Sequence, residues 1–236
     1  MNPTFFQDFP AHPDLYAIDR ALHAELARRL PPELQKKAAP RFEAMGRATA
    51  TELPLLVADA EANEPVHVPY DPWGRRVDEI KTARAWDELK RFSAEHGVVA
   101  LGHDESYGHH RRVVQAAILH TFSATSAIYS CPLAMTDAAA RVLKDIAPAE
   151  VRDRLVPRLL STDPKTFITS GQWMTERTGG SDVSGTSTIA RKLPSSSTPG
   201  ALDRYSLHGV KWFTSAVTSE MSLALGRIEN ERGEVV

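Results

Sequence analysis

Up to about residue 160 the apolar residues recur at the spacing of a helix face, and after about residue 164 the texture becomes that of strands. This change of period constrains the fold more than any other feature of the chain. Leu15, Leu22, Leu26 and Leu30 fall at spacings of four or near its multiples, Trp86, Leu89 and Phe92 at three, and Val114, Ala117, Ile118 and Phe122 at three and four. One-sided stripes of this kind suit helices that pack on each other. The later stretches KTFITSGQW, SGTSTIARKL, RYSLHGVKWF and MSLALGRI are rich in Thr, Ile and aromatic residues, as strands are. The expected fold is α+β, with an all-α domain over residues 1–163 followed by the start of an antiparallel β domain over 164–236.

Punctuation along the chain refines this. EPVHVPYDPWGRRVDE (64–79) carries three prolines and a glycine and reads as an extended loop. PSSSTPGALD (194–203) is a polar spacer and reads as a hairpin loop between two strands. RVLKDIAPAEVRDRLVPRLL (141–160) reads as an amphipathic, core-facing helical hairpin. Only about four strands fit after residue 165, and ENERGEVV (229–236) reads as a turn entering a further strand, so the chain is expected to be a fragment of a longer protein.

Composition bears on the partners. The net charge is -2, with no long basic run, which gives no electrostatic case for nucleic acid. No stretch approaches the roughly 18 apolar residues of a membrane span, and the N-terminus lacks a basic segment followed by an apolar one. The single cysteine, Cys131, makes no internal disulfide and fits a reducing compartment. The expected location is cytoplasmic, without a membrane partner.

The stretch GQWMTERTGGSDVSGTSTIA (171–190) is the leading candidate site. It reads as a strand from Phe167 to Met174, a turn at Gly179 and Gly180, and a second strand from about Thr186. Paired glycines let a backbone come close to a ligand, while Thr175, Thr178, Ser181 and Ser184 supply hydroxyls that donate or accept. That set suits an aromatic heterocycle with polar edges, and it equally suits an ordinary polar turn. It is neither a P-loop nor a dinucleotide fingerprint, because the required glycine, lysine and helix spacings are absent.

The order of residues shifts the balance between the two readings. Met174 to Val183, MTERTGGSDV, is followed about thirty residues later by Gly209 to Ser215, GVKWFTS. Together these resemble the paired middle-domain motifs of the acyl-CoA dehydrogenase superfamily and, within it, the AidB-like branch of adaptive-response flavoproteins. YDPWGRRVDEIKTARAW (70–86) and CPLAMTDAAARVLKD (131–145) resemble the N-terminal domain of that branch. The resemblance implies a barrel-like middle domain, an FAD cofactor, an acyl-CoA-like ligand and a homo-oligomer. It implies that Met174, Thr175, Glu176, Gly179, Gly180, Ser181, Asp182 and Val183 line the flavin, with the Thr175 hydroxyl at the ring edge and Ser181 toward the acyl side.

Trp212, Phe213, Thr214 and Ser215 would bring an aromatic ring and a hydroxyl to the same cofactor. Many members read Lys-x-Trp-Ile-Thr or Ser at this point. Aligned on Lys211, Phe213 takes the tryptophan position and Ser215 the hydroxyl, which leaves Trp212 as a sheet-packing residue. The family's catalytic base belongs to a C-terminal helical domain, so no residue here is assigned as catalytic, and Glu176 is expected to be a structural carboxylate. Two alternatives accompany the oxidoreductase reading: a non-catalytic AidB-like flavoprotein with a DNA-protective role, and a truncated scaffold without activity.

Other candidates are thinner. GHDESYGHHRR (102–112) sets His103, Asp104, His109 and His110 close together, and reads as a solvated connection into the next helix rather than a metal site. Cys131, before Pro132, reads as a buried residue at a helix start.

Overall fold

The computed structural model describes residues 11–194, 202–230 and 232–235. The chain divides into two compact units, Met1–Phe167 and Ile168–Val236. Among the described residues no helix is long and apolar enough to cross a membrane.

The first unit is built by helices α1 (Leu15–Ile18), α2 (Arg20–Arg29), α3 (Pro32–Ala50), α4 (Glu52–Ala62), α5 (Arg84–Glu95), α6 (Arg111–Ser123), α7 (Ser130–Ile146) and α8 (Ala149–Leu159). Their starts follow local chemistry. The Asp14 and Asp19 side chains accept from the first-turn amides of α1 and α2, and Pro32 opens α3, where a missing N–H costs nothing. The expected stripes face inward. Leu26, Leu30, Leu89, Phe92, Val114, Ala117, Ile118 and Phe122 are all buried in one cluster, joined by Phe42, Met45, Leu53, Tyr129 and Leu133. Phe92 stacks on Phe122 with centroids 5.9 Å apart, and Trp86 meets Tyr129 edge-on at 4.6 Å. The expected helical hairpin over 141–160 is present, with α7 packed on α8.

The proline-rich stretch is not a loop. Strands β1 (Val66–Tyr70) and β2 (Arg76–Lys81) form an antiparallel hairpin. Pro65 precedes β1, Pro69 sits where the register shifts between Val68 and Tyr70, and Pro72 lies in the turn, so no proline is asked for a ladder hydrogen bond. Asp71 closes the turn by accepting from the amides of Trp73 and Arg75, and Gly74 supplies the left-handed φ of +81°.

Gly46 lets α1 lie on α3. A Cβ there would run into the Asp14 carboxylate that caps α1 and reach 2.7 Å from Tyr16 Cβ. Gly46→Ala is expected to lower stability by about 1–2 kcal/mol, overpacking outweighing the better helix propensity of alanine. Urea unfolding measures this, and a stabilised variant would refute it.

The second unit carries β3 (Ser170–Trp173), β4 (Ile189–Lys192), β5 (Tyr205–His208), β6 (Met221–Ala224) and β7 (Arg227–Glu229). Its pairing is mixed rather than purely antiparallel. β4 and β5 are antiparallel, but β3 pairs with β6 and β4 with β7 in parallel. Parallel pairs need long connections, and here the partners lie about fifty and almost forty residues apart in sequence. The stretch 171–190 is therefore not a hairpin, because its two strands belong to different sheets. The polar spacer expected between β4 and β5 lies mostly outside the described residues. After β7, Asn230 accepts from the amides of Arg232 and Glu234 and closes the expected turn.

Candidate functional site

The turn after β3 is organised by one carboxylate. Glu176 is 5% exposed. Its oxygens accept from the hydroxyls of Thr186 (2.6 Å), Ser187 (2.6 Å) and Thr188 (2.6 Å), from the amides of Ser187 (2.7 Å) and Thr188 (3.0 Å), and from Lys211 Nζ (2.8 Å). A carboxylate offers about four lone-pair sites, so Glu176 is saturated. The Lys211 ammonium first, then the three hydroxyls, hold its carboxyl far below the usual carboxylate range against the opposing effect of burial. Lys211 is itself nearly buried and also donates to Thr186 Oγ1 and the Met174 carbonyl.

This ion pair holds two segments together. The Trp212 amide donates to the Thr175 carbonyl at 2.9 Å, and the Trp173 indole N–H donates to the Ser215 carbonyl at 3.1 Å. Between Met174 and Thr186 the chain borders an open cavity of about 430 Å³ lined by Met174, Glu176, Thr178, Gly179, Gly180, Ser181, Asp182, Val183, Ser184, Gly185 and Thr186. That volume lies in the range of small-molecule sites, roughly 300–1,000 Å³. Reciprocal bonds between Glu176 and Gly179 fold the turn. Gly180 is required there because a Cβ would meet Thr175 Oγ1 at 2.8 Å and Cγ2 at 2.9 Å. Asp182 accepts from Ser184, which lowers its pKa.

Of the residues expected to line a cofactor, Met174, Glu176, Gly179, Gly180, Ser181, Asp182 and Val183 border the cavity, and Thr175 lies beneath Gly180. Trp212, Phe213, Thr214 and Ser215 stand on the adjoining loop and do not line it. Trp212 is not a sheet-packing residue: it is 46% exposed, outside any strand, and its ring carries the Arg177 guanidinium at 5.5 Å. Phe213 is 81% exposed and holds a left-handed φ of +53°, a conformation that a bulky side chain adopts only under constraint. Sequence reasoning missed Lys211, Ser187 and Thr188 as partners of Glu176. The only available signal was the single lysine of GVKWFTS, the natural counterion for a carboxylate in the other motif.

The 102–112 segment is not a uniformly solvated connection. The His103 side chain is 5% exposed and its Nε2 lies 2.6 Å from Asp137 Oδ1. The His109 and His110 rings meet at a tilt with centroids 3.9 Å apart, and Asp104 accepts from the Ser106 amide. Among the described residues no three His, Cys, Asp or Glu side chains gather as a metal site. Cys131 is half-buried in the first turn of α7.

Residues 8–164 match the profile of the adaptive response protein AidB N-terminal domain. The chain belongs to the AidB family. It is 36% identical over 237 residues to acyl-CoA dehydrogenase family member 11 of Caenorhabditis elegans, covering 98% of this chain and 37% of that protein. To the putative acyl-CoA dehydrogenase AidB of Escherichia coli K12 it is 32% identical over 191 residues, 78% of this chain and 34% of that protein. A crystal structure of Caenorhabditis elegans ACDH-11 in complex with C11-CoA superposes with a TM-score of 0.92 at 36% identity, over 100% of this chain and 40% of that one. This AidB-family chain thus spans about a third of the length of the curated relatives it matches, and it has the fold of the N-terminal part of an acyl-CoA dehydrogenase.

Proposed function

We propose that this chain contributes one wall of the FAD site of an acyl-CoA dehydrogenase-type oxidoreductase that acts on CH–CH groups of acyl-CoA-like substrates. The observation that carries this reading is the cavity at Met174–Thr186. Its residues fit an isoalloxazine edge. Among the described residues the hydroxyls of Thr175, Thr178 and Ser181 make no hydrogen bond of their own, Gly180 keeps side-chain bulk off the floor, and Phe213 presents an exposed ring on the adjoining loop. Donors for a polar ring edge and an apolar surface for its face are what a flavin requires of a protein, the cofactor itself supplying the hydride chemistry when bound. The acyl-CoA bound by ACDH-11 supports the substrate class.

Each residue then has a task. Thr175 and the amides of the 178–184 turn orient the heterocycle, and Glu176 with Lys211 holds the two loops in register. Glu176 is not the general base. A base works best with a pKa near the operating pH, and this carboxylate is depressed and fully occupied.

Titration of the protein with FAD, followed by the flavin's visible absorption bands, tests the assignment. A saturable perturbation is expected, of weak affinity because this chain is proposed to supply one wall. Thr175→Val with Gly180→Val is expected to weaken it on the order of tenfold, the equivalent of about one lost hydrogen bond. An unchanged affinity in a folded double variant sinks the proposal.

A further inference from the structure

In the helical unit a buried histidine joins an acid to an amine. His103 ends the 3-10 turn Ala100–His103, and α7 carries both of its partners: Asp137, with Oδ1 at 2.6 Å from Nε2, and Lys144, with Nζ at 3.1 Å from Nδ1. Asp137 and Lys144 are two helical turns apart and so share one face. The other Asp137 oxygen accepts from Arg112 of α6 at 2.5 Å, and Arg112 also donates to Gln115. Burial pushes the Asp137 pKa up, but the bonds from His103 and Arg112 outweigh it and the carboxyl is held below its ordinary value. A charged Asp137 requires the proton on His103 Nε2. Nδ1 and Lys144 Nζ are then two basic nitrogens in contact.

Around Lys144, Arg111 and Arg112 of α6 and Arg141 of α7 add positive charge, which Glu105 and, across the imidazole, the Asp137 carboxylate oppose. Lys144 as a residue is exposed, so reagents can reach it, while its nitrogen end rests on the buried imidazole. Burial is the first cause that lowers its pKa, followed by the balance of Glu105 against the three arginines. Lysines become nucleophiles when desolvated or placed beside other cations.

We propose that Lys144, set by His103 and Asp137, is a nucleophilic amine at which acyl thioesters acylate this chain. In the neutral amine form, with Nδ1 of His103 free to accept, the Nζ lone pair attacks the thioester carbonyl, a C–N bond forms, the C–S bond breaks and the sulfur leaves as thiolate. The proton shed by Nζ passes to His103 Nδ1, and the imidazolium rests on the Asp137 carboxylate until it returns the proton to solvent or the thiolate. The inference does not depend on the flavin reading.

The test is incubation of the protein with acetyl-CoA at neutral pH and mass-spectrometric mapping of acetylated lysines with time. Lys144 is expected to react on the order of tenfold faster than the exposed Lys36 and Lys165, and its rate to level off at lower pH than theirs. His103→Gln is expected to bring Lys144 down to their rate without changing Lys36 or Lys165, with circular dichroism confirming the fold. Since removing a buried histidine can unfold a domain, the wild-type rates and pH profile stand as the independent measurement. Equal rates at Lys144, Lys36 and Lys165 in the wild type overturn the proposal, and a fast Lys144 unmoved by His103→Gln in folded protein overturns the role of the imidazole.

Discussion

Glu176→Gln is expected to lower the thermal midpoint of the Ile168–Val236 unit by on the order of 10 °C, more than any other single polar substitution there. Glutamine has the same shape, but its amide nitrogen cannot accept. One side of the present hydrogen-bond set, either the Ser187 amide and hydroxyl or the Thr186, Thr188 and Lys211 group, would face a donor. The nearly buried Lys211 would also lose its counterion, and removing one partner of a buried pair harms more than the pair itself contributes. A melting curve on the variant, with Lys211→Met as the complementary removal, checks this. A shift of only a degree or two would show that the network is not what holds the two loops.

The same carboxylate sets an acid limit. Its pKa in the folded chain lies well below the ordinary value of 4.5, so the charged form is favoured by folding and the stabilisation is complete above about pH 4.5. As the pH falls below that value the unfolded chain takes up a proton that the folded chain does not, and stability drops progressively. Glu176→Gln should therefore be less stable at neutral pH and flatter against acid. A variant with wild-type acid sensitivity would assign that sensitivity to other groups.

What could be read in advance follows from where each constraint lies. The helices were legible because each buries its own face: Leu89 and Phe92, or Val114, Ile118 and Phe122, declare a period without reference to any partner. The hairpin over 66–81 was hidden because three prolines argue against strands, and only the register shift at Pro69 shows how they are accommodated. Parallel pairing of β3 with β6 was illegible, since a strand of four residues does not encode a partner some fifty positions away. Glu176 as a structural carboxylate was legible from its place in the turn, whereas Lys211, 35 residues on, was not. His103 shows the same limit more sharply. Its local neighbours are glycine, aspartate and other histidines, all signs of solvent, and its burial is set by Asp137 and Lys144 on a different helix.

Phe122→Ala is expected to cost about 3–5 kcal/mol, the range for an aromatic side chain removed from a core that cannot collapse. Phe122 is fully buried and lies parallel to Phe92, which in turn stacks on His96 at 4.1 Å, so the ring is held between side chains of α5 and the rest of the cluster. Neither α5 nor α6 can move to fill the gap without breaking other contacts: Leu89 of α5 is buried in the same cluster, α5 is packed on α4, and α6 is also packed on α3 and on the 3-10 turns at 100–110. Phe122→Leu keeps much of the volume and is expected to lose clearly less. Denaturant unfolding of both variants, together with Phe92→Ala and the double variant, separates packing volume from ring stacking. A coupling of about 0.5–1.5 kcal/mol between the two phenylalanines would be the stacking contribution. A total loss under about 1 kcal/mol for Phe122→Ala would mean that this core relaxes freely around the missing ring, contrary to the close packing seen about it.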